Sequence, residues 1–549
     1  MNMGKLFEKK RAIWSAVMGF LISIAFILGY QLETCGATAA GFAGKGKILL
    51  FSALLMIPVG AVVYLLYLAA EKWCVTKPAK TKARSIFFVS FLLITLSRIP
   101  AFLAYYPAVM SYDFGRQILE ASKGHIWFFD YQPLIHTEVI RIFYLIGLKI
   151  GSLEMGMALL SIFQILVVSA ILAYSVSLIY RITGRIVFSY AQTAVYALLP
   201  LHELMAVVMT KDVFFAAFFL LFICLLYERS RKASIPLDVA IVLTAILNIM
   251  FRKNSVYAMV FLIIGYLIYE KRLINKARST ILILLCIVAG LACQSAMVTG
   301  FNVIRGNNRE MYSVPMMQFM RVFVNQNPVL TREQVEMLVK VLPLEMEGIS
   351  YDPYVADSVK NYSGYRNEIW GGSPKAFAHE WIEIGKAYPN EFIDAFLFLN
   401  KGYWYLPDRM FAEAFGVGAE NGKGLIHTYN HTYEVLPDGG IKDTCYFPAA
   451  RSYYETVINE NGFFDWPVLN LLFRPAFYFW LLMLITAYAF AKRRRIGWMV
   501  ISYPLVYMAT LFFGPLVYIR YMYPLILSVP VLFALVVFET REKEEKQEE

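Results

Sequence analysis

A chain of 549 residues in which 59% of the side chains are hydrophobic and only 17% are charged does not have the composition of a soluble globular enzyme. It reads as a polytopic membrane protein. The net charge of +11 does not mark a nucleic-acid binder, because the Lys and Arg residues fall in short runs between apolar segments, as they do in cytoplasmic loops.

Taking about 15 to 23 apolar residues as a candidate span, the first three cover residues 12–30, 48–70 and 86–105. The N-terminus has the basic start of a signal peptide, but residues 12–30 are long enough to cross and lack a clear small-residue cleavage site, so a retained helix is expected. Lys9, Lys10 and Arg11 start inside, and Lys72, Lys77, Lys80, Lys82 and Arg84 fill the next inside loop. That parity puts the following loop, residues 106–156, on the outer side.

This loop opens with Met110-Ser111-Tyr112-Asp113-Phe114-Gly115-Arg116 and continues through Trp127, Phe128 and Phe129 to Tyr131-Gln132-Pro133. An outer-loop Asp is ordinarily a helix cap or a solvated charge. A carboxylate held among aromatic rings near a membrane surface is instead partly desolvated and more basic. Residues 134–150 carry His136, Glu138, Arg141 and Lys149 in a polar stripe. If this segment crossed, Arg181, Arg185, Arg229, Arg231 and Lys232 would all fall outside, so an amphipathic interfacial helix is expected.

The remaining expected spans are residues 157–179, 186–199, 213–227, 237–251, 256–269 and 281–298. Residues 299–466 lose the long apolar runs and gain Pro, Gly, Tyr and Trp, the texture of a folded outer domain, with helical periodicity at 333–341 and 375–399. Closing spans follow at 475–491, 498–513 and 522–538, with Lys492-Arg493-Arg494-Arg495 marking an inside loop. The expectation is an all-α polytopic membrane protein of about 12 helices by the span-length rule, both termini cytoplasmic. It divides into N-terminal helices (1–85), a membrane core (86–298), an extracytoplasmic domain (299–466), C-terminal helices (467–538) and a charged tail (539–549). Six Cys are too few for a disulfide scaffold and none form C-x-x-C; Cys35 and Cys445 face outward, where two free thiols are a simpler expectation than a bridge.

All six His fall on the expected outer side, which holds most of the polar sequence. More informative are cations that break the positive-inside tendency: Lys211 with Asp212 at the start of one span, Arg252-Lys253-Asn254 in a short hairpin, and Arg520 opening the last span. Snorkelling accounts for any one of them. Three at separate outer helix ends fit a shared anionic ligand such as a lipid phosphate. No P-loop, dinucleotide, zincin or nucleophile-elbow motif is present, and no D-x-D stands in an inside loop. A lipid-carried donor would bring an activated group to an outer site.

The outward Asp after an early span, the Tyr131-Gln132-Pro133-Leu134-Ile135-His136-Thr137 element and the Lys211-Asp212 pair together resemble the GT-C superfamily of membrane glycosyltransferases. Phe251-Arg252-Lys253-Asn254, Ser313-Val314-Pro315-Met316-Met317-Gln318, Tyr403-Trp404 and Arg520-Tyr521 extend the resemblance to an uncharacterised bacterial branch, over residues 86–538. It implies a polyprenyl-phosphate sugar donor, a glycan or lipid acceptor of the cell envelope, and Asp113 as catalytic base. Lys211, Arg252, Lys253 and Arg520 would hold the donor phosphate. Arg116, Gln132, His136, His202, Asp212, Asn254, Gln318, Tyr403 and Trp404 would form the acceptor side or a supporting row. Tyr403, Trp404 and Tyr405 are candidate sugar-stacking residues or ordinary interface-belt aromatics.

Two departures bear on a divalent metal, which is not assigned. Gln132-Pro133 replaces the usual His-Pro, and no second carboxylate stands beside Asp113 unless the fold brings Asp130, Glu203 or Asp212 close. Two other classes share the outer cations. One is a transporter or flippase of a lipid-linked glycan, ordinarily marked by inverted repeats and broken polar helices; the other is a glycan polymerase or ligase of another fold.

Overall fold

A computed structural model describes residues 3–38, 45–74, 76–77, 82–110, 112–270, 272–305, 312–326, 330–333, 335–336, 351–360, 374–408, 432–436, 440–458, 466, 468–492 and 495–538. Among the described residues the regular structure is helical, with only isolated backbone bridges besides. In chain order the principal helices are α1 (Met3–Cys35), α2 (Lys45–Trp73), α3 (Ala83–Ser97), α4 (Ile99–Ala104), α5 (Tyr112–Lys123), α6 (Leu134–Ile150), α7 (Leu153–Thr183), α8 (Ile186–Leu198), α9 (Pro200–Val207) and α10 (Lys211–Arg231). Then come α11 (Ile235–Phe251), α12 (Ser255–Tyr269), α13 (Leu273–Gly300), α14 (Ser313–Gln326), α15 (Pro374–Ala387), α16 (Pro389–Leu399), α17 (Pro448–Ile458), α18 (Pro475–Lys492), α19 (Arg495–Leu511) and α20 (Ile519–Val537).

Each of the twelve expected spans falls on a helix. Among the described residues eight helices are long and apolar enough to cross a membrane: α1, α2, α3 continued by α4, α7, α10, α13, α18 and α20. The other four, α8, α11, α12 and α19, are shorter. At about 1.5 Å per residue the 13 residues of α8 reach only some 20 Å, less than a hydrocarbon core of about 30 Å. A break at Leu199-Pro200 then starts α9, because proline ends the ladder before it and suits a first turn after it.

Two helices occupy the centre. The apolar windows of α10 and α20 are 72% and 78% buried within the protein, against 22% for α2, whose outward Leu50, Ile57 and Leu65 form part of an apolar belt. Such a belt is what hydrocarbon chains solvate. Basic residues gather at one end of the bundle, where Glu71 meets Arg11 at 2.9 Å and Lys492 at 3.6 Å, and Arg229 meets Asp238 at 2.6 Å. Arg229 lies in the last turn of α10 and Lys211 in its first, so the Lys211 end is opposite.

The expected interfacial segment is α6, with a difference. Its polar stripe faces protein: Arg141 donates to the Ala121 carbonyl of α5 at 2.8 Å and Glu138 meets His125 at 2.8 Å. Its outward face is Ile142, Leu145, Leu148 and Ile150. The stretch carrying Asp113 also differs from the expected loop, since Asp113 lies in the first turn of α5, where the helix dipole favours an acidic side chain. Of the periodic segments in 299–466, residues 375–399 fold as α15 and α16, parted before Pro389, while most of 333–341 lies outside the described residues. All six cysteines are free thiols.

Helices α6 and α7 approach closely through glycine. A Cβ on Gly156 would sit 2.5 Å from the Phe143 carbonyl oxygen and 2.8 Å from the Gly147 Cα. Gly156→Val is therefore expected to force the helices apart and destabilise the protein by about 1–3 kcal/mol, seen as a lower melting temperature of the purified protein. An unchanged melting temperature would contradict this packing.

Candidate functional site

Asp113 and Lys211 are far apart in sequence, and backbone bonds bring them together. An isolated bridge pairs Val109 with Val208, with the Val109 amide donating to the Val207 carbonyl at 3.0 Å and the Met209 amide donating to the Val109 carbonyl at 3.0 Å. Asp113 follows one side of this bridge and Lys211 the other. The Thr210 hydroxyl then caps α10 by accepting from the Asp212 amide, which fixes where the helix begins. Arg520 comes from the second position of α20. Because Lys211 and Arg520 both reach Asp113, the N-termini of the two central helices lie together, and both dipoles turn their positive ends toward that carboxylate.

Asp113 Oδ2 lies 3.6 Å from Lys211 Nζ and 3.2 Å from Arg520 Nη1, and Gln132 Nε2 donates to Asp113 Oδ1 at 3.2 Å. The Gln132 Oε1 accepts in turn from Lys211 Nζ. A second pair stands behind: Arg252 Nη1 meets Asp212 Oδ1 at 2.6 Å, and Arg520 Nε points toward Asp212 Oδ2 at 3.8 Å. Arg520 thus spans both carboxylates. Tyr521 supports both arginines, with the Arg252 guanidinium 4.6 Å and the Arg520 guanidinium 5.2 Å from its ring centre. The Asp113, Lys211, Arg520 and Arg252 side chains keep 21%, 19%, 25% and 16% exposure, whereas Asp212 has none.

Burial alone would raise the Asp113 carboxyl, as expected from the aromatic surroundings, but Lys211 and Arg520 outweigh it and hold the group well below the usual carboxylate range. The expectation of raised basicity is corrected for this state. His136 lies behind, its Nδ1 2.9 Å from Gln117 Oε1; burial first, and then Lys211, push its imidazole down to about 3.

The other expected residues are placed as follows. Lys253 leaves the cluster to meet Asp130 Oδ2 at 3.4 Å, and Asn254 stands at the start of α12 without a side-chain cap bond. Arg116 pairs with Glu120 at 3.2 Å and lies over the rings of Phe129 and Tyr131. His202 is in a separate buried group, its Nδ1 3.2 Å from the Tyr523 hydroxyl, beside Glu203, which accepts from the Tyr454 hydroxyl at 2.6 Å. Burial and then Arg98 push His202 down to about 3. Gln318 is inside the packing of α14 against α15 and α16, accepting from Trp381 Nε1 at 2.7 Å and donating to the Phe392 carbonyl at 3.1 Å.

Tyr403, Trp404 and Tyr405 are buried, packed with Phe512, Leu32 and Phe398, so their rings offer no open face to a sugar; the stacking role is corrected to a packing one. Of the carboxylates named as a second acid, only Asp212 is brought near Asp113, and it arrives paired to Arg252. Among the described residues no group of three His, Cys, Asp or Glu side chains converges. Sequence reasoning missed Gln117, which lies between Arg116 and Ile118, and Tyr507, a mid-helix aromatic whose ring centre is 5.7 Å from the Arg252 guanidinium. Neither carries a local signal of its partner.

Residues 132–549 match a family described as a family of unknown function (DUF6020), and the chain belongs to that family. The match includes Gln132, Lys211, Asp212, Arg252 and Arg520 and begins after Asp113. No curated protein and no solved structure matches the chain.

The two buried histidines give the protein an acid sensitivity with a definite sign. Each is neutral when folded, while the unfolded chain takes up its proton below about 6.5, so stability falls by about 1.4 kcal/mol per pH unit for each histidine as pH drops from there toward 3. Asp113, held low, contributes stability that is fully present above the ordinary Asp value of 3.8 and is lost progressively as pH falls below it. The melting temperature is expected to fall between pH 6.5 and 4.5 and to fall less steeply in His136→Gln and in His202→Gln. Parallel slopes in all three proteins would contradict the burial of neutral imidazoles.

Proposed function

We propose that the protein is a membrane glycosyltransferase of GT-C type, moving a sugar from a polyprenyl-phosphate donor to a glycan or lipid acceptor on the outer face of a bacterial cell membrane. The observation that carries this reading is the meeting of Asp113 with Lys211 and Arg520 at the joined N-termini of α10 and α20. It places one carboxylate and two cations, all partly open, at one end of an apolar bundle. Helix N-termini favour anions, and cations fixed there stabilise charge that grows on a leaving phosphate.

In this reading all twelve helices, the four short ones included, cross the membrane, with both termini cytoplasmic. The basic end at Arg11, Lys492 and Arg229 supports that orientation through the positive-inside tendency. The apolar belt on the outward helices supports a donor that reaches the site from the lipid.

The acceptor hydroxyl gives its proton to the Asp113 carboxylate as its oxygen bonds to the anomeric carbon of the sugar. The bond from that carbon to the phosphate oxygen breaks, and its electron pair leaves with the polyprenyl phosphate. Lys211 and Arg520 stabilise the phosphate; Arg252, held by Asp212 and Tyr521, keeps Arg520 in place. A flippase of the same lipid needs the cations and no base, so Asp113 separates the two readings.

The test is transfer by purified protein from a polyprenyl-phosphate sugar to envelope-derived acceptors, followed by mass spectrometry. Asp113→Asn is expected to keep its fold, with a lower melting temperature, and to lose transfer by about 10²- to 10⁴-fold, the range of a general base. Transfer retained in Asp113→Asn would remove the base assignment, and lipid translocation without any transfer by the wild type would favour the flippase.

A further inference from the structure

We infer that Asp113 and the donor phosphate exchange the same two cations, so that the donor must bind first and Gln132 then holds the freed carboxylate ready for the acceptor hydroxyl. The inference rests on the glycosyltransferase reading and adds an order of binding and a positioning residue to it.

Charge is the first argument. Five charged side chains form the cluster, the cations Lys211, Arg252 and Arg520 against the carboxylates Asp113 and Asp212. One positive charge is left over, and a sugar phosphodiester carries one negative charge. With the donor bound the cluster is balanced. After transfer the leaving phosphate monoester approaches two negative charges, while Asp113 has become neutral by taking the acceptor proton. The balance therefore holds from donor complex to product, which a buried, low-dielectric site requires.

Access is the second. Asp212 is closed, and the other four members are partly open. A ligand entering the cluster finds Lys211 and Arg520, at 3.6 and 3.2 Å from Asp113, less tightly paired than Arg252, at 2.6 Å from Asp212. Among the described residues Arg520 Nε makes no hydrogen bond and lies 3.8 Å from Asp212 Oδ2, so this donor can turn to a phosphate. Lys211 and Arg520 can leave Asp113 only if something else holds the carboxylate, and Gln132 does, through Nε2 at 3.2 Å. Its backbone is fixed from two sides: Pro133 follows it directly, and His136, one turn into α6, is tied to Gln117 of α5 at 2.9 Å. The same amide accepts from Lys211 Nζ, so a shift of the lysine toward phosphate is felt by the group that orients Asp113.

Once the cations turn to phosphate, their hold on the Asp113 proton affinity relaxes and the carboxylate becomes the better base. The His136 imidazole on α6, which lies behind Asp113, is held neutral by burial and adds no charge to the exchange. An acceptor that arrived first would meet a carboxylate already neutralised by two cations.

The exchange makes a counterintuitive prediction about binding alone. The probe is a short-chain polyprenyl monophosphate, titrated by calorimetry against the purified full-length protein at neutral pH. Because Asp113 competes with phosphate for Lys211 and Arg520, Asp113→Asn is expected to bind the probe at least about tenfold tighter than wild type, and Lys211→Ala at least about tenfold weaker. Gln132→Glu, which gives Lys211 a permanent carboxylate partner, is expected to weaken binding by a similar factor. It carries the test if Asp113→Asn loses its melting transition. Binding that is equal or weaker in Asp113→Asn, or unchanged in Gln132→Glu, with the loss in Lys211→Ala intact, would overturn the exchange and leave the donor-phosphate site standing. A wild type and an Asp113→Asn variant that both ignore the probe would overturn the donor-phosphate reading itself.

Discussion

Three charged side chains in contact at the edge of an apolar bundle have to be compensated, and the contact of Asp113 with Lys211 and Arg520 is how this protein does it. Lys211 and Arg520 stand at the first turns of the two most buried helices, where their positive charge adds to that of two helix dipoles. Without an anion between them those ends would repel. Asp113 supplies it, delivered by the segment that the Val109 and Met209 backbone bonds fasten beside residues 207–210. The central packing of α10 against α20 and the placement of α5 and α6 over their ends follow from this one meeting.

The same arrangement sets what the site can do. A carboxylate held by two cations is a poor base and a good counter-ion, and it becomes a base only when the cations find another anion. A phosphate with one negative charge would balance the cluster in the proposed reading. The tight pair of Asp212 and Arg252 shares with Arg520 the ring of Tyr521, which lies beneath both arginines. Chemistry and stability draw on the same residues.

Much of the helical layout was legible because long apolar runs leave few alternatives in a membrane. All twelve expected spans coincide with helices, and α6 has the expected bounds. The short helices α8, α11, α12 and α19 show the limit, since apolar composition says that a segment is buried and not how far it reaches. Lys211, Arg252 and Arg520 were legible as charges that break the expected positive-inside pattern. Their order of contact was not, because nothing local tells Lys211 to meet Asp113 while Arg252 turns to Asp212. Asp113 was expected in a loop among aromatic rings; its helical first turn and its cations come from segments 98 and 407 residues away, beyond any local pattern. Tyr403 and Trp404 misled for a related reason, since an aromatic pair reads alike whether it lines a binding surface or fills the core.

The central claim is that a polyprenyl phosphate places its phosphate between Lys211 and Arg520. Photolabelling tests it most directly, using a polyprenyl monophosphate with a diazirine on the isoprenoid unit next to the phosphate and mapping the adducts by mass spectrometry. The account predicts adducts within residues 110–132, 207–214 and 516–523, suppressed by excess unlabelled polyprenyl phosphate. Adducts spread over the outward faces of α1, α2 and α13, with these three segments unlabelled, would contradict it.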